Sequence, residues 1–135
     1  LYFHETGFDD GSTDPVTAIS AHIESSQIDI GDGDRFSFVN KIIPDITFRD
    51  STADSPTATL TLKSRNHPGD TYLQTQDSSV IRSAAATSSV VEQYTDKVNL
   101  RLRGRSIALK IASTNTGVAW RLGSPRIDVK SDGRR

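Results

Sequence analysis

Between Val98 and Ile111 apolar side chains stand at every second position, and the parity of that alternation changes once, at Gly104. Val98, Leu100 and Leu102 are even; Ile107, Leu109 and Ile111 are odd. A period of two is the repeat of a pleated strand with one face inward, and it does not suit a helix. A one-residue slip at a glycine is what a β-bulge does to such a strand. This stretch commits the last third of the chain to sheet.

The rest of the sequence follows suit. Residues 57–63 read Thr-Ala-Thr-Leu-Thr-Leu-Lys, with β-branched threonines in strict alternation, the mark of a half-buried strand. Residues 35–43 hold Phe36, Phe38, Ile42 and Ile43 ahead of Pro44, after which residues 46–49 resume the strand. Residues 18–30 are extended, with a register break near Ser25 and Ser26 of the kind a bulge or bend makes. Residues 1–5, 94–103, 118–122 and 126–130 complete the strands, and Asp, Asn, Gly and Pro clusters mark the turns between them. Residues 66–89 are poor in apolar groups and are expected to form a long functional or interface loop; the alanines at 84–86 suit at most an uncapped helical turn. The expected fold is all-β: an antiparallel β-sandwich, jelly-roll-like, of about seven to nine strands with little or no helix. Residues 1–135 are read as a single domain.

Apolar residues make up only 34% of the chain, so the core must be economical and the surface polar. No cysteine is present, which excludes disulfides and thiolate metal sites. No apolar run approaches the ~20 residues of a membrane span. With no methionine, the sequence is expected to be a fragment, the C-terminal domain of a longer protein.

Charge is divided along the chain. Residues 1–96 carry six Lys/Arg against fifteen Asp/Glu, and residues 97–135 carry ten against two. In the basic part Arg101, Arg103 and Arg105 alternate with apolar positions, and Arg121 follows the lone tryptophan. A sheet that is apolar on one face and bears guanidinium groups on the other is suited to meeting a partner. These four arginines are the candidate interface residues. Their carboxylate partners would lie within the domain or on a neighbouring subunit; phosphates of nucleic acid are a further class. The sequence nevertheless lacks the aromatic interleaving that reads single strands and any basic helix, and a solvated face is the remaining reading.

Signals for chemistry are sparse. His4, His22 and His67 stand in unrelated surroundings, and neither a Gly-x-Ser-x-Gly elbow nor a His-Glu-x-x-His helix occurs. Asp29, Asp32 and Asp34 alternate with glycines and would suit a Ca2+ ion, although Asp-Gly sequences are equally hairpin turns and no other cofactor is implied. Glu5, Glu24 and Glu92 are the acids most suited to a glycosidase pair, which only their spatial separation would establish. Trp120, flanked on its face by Val118 and Leu122, suits core packing or a sugar-stacking platform.

Several motifs together resemble a known group of proteins. They are Leu1-Tyr2-Phe3-His4-Glu5 before an Asp-rich loop, Ile28-Asp29-Ile30-Gly31-Asp32-Gly33, Val98-Asn99-Leu100-Arg101-Leu102-Arg103-Gly104-Arg105, and Gly117-Val118-Ala119-Trp120-Arg121-Leu122-Gly123. As a set they resemble the C-terminal region of tail structural proteins of short-tailed bacteriophages and prophages, of the nozzle or packaged-DNA stabilisation type. The resemblance implies a virion component without enzymatic activity, made in the bacterial cytoplasm. It further implies assembly with itself into a ring, typically a hexamer, and with other tail proteins around transiting DNA. A carbohydrate-binding β-sandwich for host attachment, with Trp120 as its platform, is the alternative expectation.

Overall fold

A computed structural model describes residues 7–66 and 86–133 of the chain. Among these residues there are twelve strands and no helix, so the all-β expectation holds. Seven strands have four residues or more: β3 (Ala21–Glu24), β5 (Ser37–Ile43), β7 (Thr57–Arg65), β8 (Ala86–Glu92), β9 (Val98–Gly104), β10 (Ser106–Ser113) and β12 (Arg126–Ser131). The remaining five are two-residue ladders: β1 (Asp9–Asp10), β2 (Thr17–Ala18), β4 (Ile28–Asp29), β6 (Ile46–Thr47) and β11 (Arg121–Leu122).

The larger sheet runs β3-β10-β7-β8, with β4 also on β10; the smaller runs β12-β5-β9. Every pairing is antiparallel. The break expected near Ser25 separates β3 from β4, and both pair with β10. There the Ser25 amide donates to the Leu109 carbonyl at 2.8 Å, and its hydroxyl accepts from the Leu109 amide at 3.0 Å. The hydroxyl keeps the ladder satisfied across the irregularity.

Alternation in the sequence becomes the core. On β7, Ala58, Leu60, Leu62 and Ser64 face inward; on β9, Val98, Leu100 and Leu102 do. They meet Val39 and Ile42 of β5, Val91 of β8, and Ile107 and Ile111 of β10. Each fully buried Leu or Ile contributes about 1.5–3 kcal/mol of transfer free energy. One side of the sandwich is closed, because β9 lies against both β7 and β8.

Four expectations change. The parity shift at Gly104 is not a bulge within one strand but a corner, where the chain leaves the smaller sheet as β9 and enters the larger as β10. The single residue between them, Arg105, donates its amide to Arg65 O (2.9 Å) and accepts from Ile30 N (3.1 Å). Reversing faces at a corner needs the same one-residue slip as a bulge, so the two are alike in sequence. Residues 94–97 are not strand: Tyr94 is 90% exposed in a turn closed by Thr95 N to Glu92 O at 3.1 Å. The end of the expected loop, residues 86–89, belongs to β8 and pairs with residues 60–63 of β7, where the unpaired edge of that strand offers hydrogen bonds. Of residues 118–122 only β11 is strand, while Val118 is buried and Trp120 half-buried beside it. The expectations for residues 1–5 and for residues 67–85 of the expected loop, His67, Ala84 and Ala85 included, lie outside the described residues. Among the described residues no helix is long and apolar enough to cross a membrane.

Candidate functional site

The outer face of the smaller sheet gathers the arginines with groups that sequence reading left apart. Leu102 pairs with Val39 and faces the core, so Arg103, paired with Phe38, points outward. Phe38 in turn pairs with Lys130, giving a row Lys130, Phe38, Arg103 across three strands. The next row is Asp128, Lys41, Asn99, brought into line by a register shift in β5 between Val39 and Lys41. Arg101 projects from the free edge of β9, and Arg126 from β12 opposite Ile43.

Among the described residues only Arg103 of these cations makes an ion pair. Arg103 Nε donates to Asp132 Oδ2, and its guanidinium lies over the Phe36 ring at 3.9 Å. Arg105 also lies over Phe36, at 4.6 Å, from its place in the corner. The ring's negative face offsets some of the repulsion between the two cations. Arg101 is exposed and, among the described residues, makes no ion pair. Arg121 stands elsewhere, on β11, and meets Asp50 at 3.4 Å with both side chains mostly in water, a contact worth little. The four candidate arginines therefore do not form one ladder: Arg101 and Arg103 share a face, Arg105 turns the corner and Arg121 is separate. Lys41, Arg126, Lys130 and Phe38 complete the face. Phe36 and Phe38, two apart in sequence, were its available signal, but only the pairing of β5 with β9 brings Phe38 beside Arg103.

The larger sheet's outer face is different. It carries Lys63, Arg65 and Lys110 against Glu24, Asp29 and Glu92, so its charge balances. Lys63 Nζ bonds Glu24 Oε1 at 2.7 Å, which holds the Glu24 carboxyl below the usual carboxylate range. Glu24 and Glu92 sit three strand spacings apart across the sheet, about 14 Å, and four residues apart along it, beyond the separations of glycosidase pairs. Glu5 and His4 are outside the described residues, and His22 points outward from β3.

Of Asp29, Asp32 and Asp34, the first is engaged within the protein. Asp29 Oδ1 accepts from Ser106 Oγ (2.6 Å) and Gln27 Nε2 (2.7 Å), and these bonds, Ser106 first, keep its carboxyl below the usual range. The carboxylate fastens the turn to β10, while Gly31 and Gly33 take the positive φ values (65° and 73°) the turn requires. Among the described residues no group of three His, Cys, Asp or Glu is placed to hold a metal ion.

Trp120 lines an open hollow of about 280 Å3 with Phe8, Ile19, Ala21, Ser113 and Val118. Its indole N–H donates to Ser113 Oγ at 2.9 Å. Nearby Asp9 accepts from the Gly117 amide through both oxygens, at 2.7 and 2.9 Å. Ser113 and Asp9 thus each make a bond within the protein and keep capacity for another.

Among the described residues nothing seals the side of the sandwich away from β8 and β9. Ile23, Ile28 and Val129 pair with core residues Ile111, Ile107 and Val39 and so share their inward orientation. Yet they are 51%, 47% and 38% exposed. Three strands do not cover the width of the larger sheet, and a hollow of about 410 Å3 lies between β12 and residues 30–35. No protein-family profile matches the chain, and a search of curated proteins finds no match either.

Proposed function

We propose that this chain is a non-enzymatic assembly domain, of the short-tailed phage tail type, that acts through protein–protein contacts with neighbouring copies. The observation that carries this reading is the open side: inward-facing Ile23, Ile28 and Val129 are exposed on strands that, among the described residues, form the edges of both sheets. Edge strands with exposed apolar residues are templates for association unless covered. A neighbouring subunit that covers them completes the core. The motif set described above supports the tail assignment, together with virion localisation and ring formation.

A glycan-binding reading draws support from Trp120 at an open hollow. The bonds that Ser113 and Asp9 make within the protein use part of the polar capacity that reading needs. Sedimentation analysis across the micromolar range separates the two. The assembly reading expects concentration-dependent association that Ile23→Asp abolishes while the thermal transition stays within a few degrees. A monomer throughout, with no response to the substitution, refutes it.

A further inference from the structure

We infer that the outer face of the β12-β5-β9 sheet is a binding surface for single-stranded nucleic acid, with phosphates held by its cations and a base stacked on Phe38. The face carries Lys41, Arg101, Arg103, Arg126 and Lys130 against two carboxylates, Asp128 and Asp132, a net of +3. Among the described residues Asp132 neutralises Arg103, and the other four cations make no ion pair. The opposite face of the sandwich is balanced, so the excess is a property of this sheet and not of the surface at large.

Geometry favours a strand of nucleic acid over an acidic protein. Asp132 holds Arg103, so the phosphates fall to Lys41, Arg101, Arg126 and Lys130, spread over three neighbouring strands about 4.8 Å apart. Phe38 is half-buried between Arg103 and Lys130, so an aromatic surface lies within the cationic frame. Aromatic groups among cations on an open sheet are how single strands are held, base on ring and phosphate on charge. An acidic peptide would have no use for the ring.

The test is fluorescence anisotropy of a labelled oligothymidylate titrated with the protein at increasing salt. Four neutralised phosphates give a slope of log affinity on log salt of about −3. Arg101→Ser with Lys130→Ser, both exposed positions, is expected to lose at least tenfold at low salt and to halve that slope. Phe38→Leu is expected to lose about tenfold with the slope unchanged. Lys110→Ser, on the balanced face, should change neither. Absence of binding at low salt, an unaltered slope in the double variant, or competition by polyglutamate as strong as by unlabelled oligonucleotide overturns the inference. The last outcome would assign the face to an acidic protein partner.

Discussion

Gly104 offers the sharpest test of how the two sheets meet. A Cβ built on it would lie 2.7 Å from Ser64 Cβ, 3.1 Å from Arg65 O and 3.3 Å from Ser106 O. The first neighbour is fixed to the β7 backbone and the other two are backbone oxygens, so no side-chain rotation relieves the clash. Relief requires β9 and β7 to separate by about 1 Å where the chain crosses between sheets, and overpacking of this kind costs about 1–3 kcal/mol. For a chain of 135 residues that lowers the melting temperature by about 4–12 °C. Gly104→Ala should therefore shift the urea midpoint downward with an unchanged denaturant slope. Adding Ser64→Gly removes the atom in the way and should restore part of the loss, a coupling that a double-mutant cycle reads directly. A Gly104→Ala protein within about 0.5 kcal/mol of the parent would refute the close approach of β9 and β7.

Two further outcomes follow from side chains that bridge distant segments. Ser51 Oγ donates to the Ala119 carbonyl (2.8 Å) and accepts from its amide (2.9 Å), so Ser51→Ala should cost about 1–3 kcal/mol in urea denaturation. Asp29 and Glu24 have folded-state carboxyls held below their ordinary values, so they stabilise the fold above about pH 4. That contribution is lost as pH falls through the lowered folded values; thermal melts should show the loss reduced in Asp29→Asn.

Much of the fold was legible because alternation and burial are the same fact seen twice. Residues 57–63 and 98–111 announced which side chains turn inward, and the structure buries Leu60, Leu62, Leu100, Leu102, Ile107 and Ile111 accordingly. Tyr94 misled because an aromatic of the right parity resembles a strand residue, although Asp96 and Lys97 already break the pattern before Val98. The corner at Gly104 was visible as a slip but not as a change of sheet, since parity records a reversal of face and not the identity of the neighbouring strand. The candidate face was the least legible part. Lys41, Phe38 and Lys130 join Arg103 only through the register of β5 with β9 and β12, and the shift at Lys41 is a property of pairing, not of local sequence. The open side was hidden for a related reason: Ile23 and Ile28 read as core, and only the width of the opposing sheet decides that they are not covered.

The crossing at Arg105 also bears on how the molecule comes apart. A long connection would give each sheet slack, letting one fray while the other persisted. Here one residue separates a strand of the smaller sheet from the central strand of the larger, and that residue is itself bonded to Arg65 and Ile30. Pulling β9 away drags β10 with it, and β10 holds β3, β4 and β7. The tight corner thus makes the two layers one cooperative unit, whose weakest boundary lies on the opposite side, along the uncovered isoleucines.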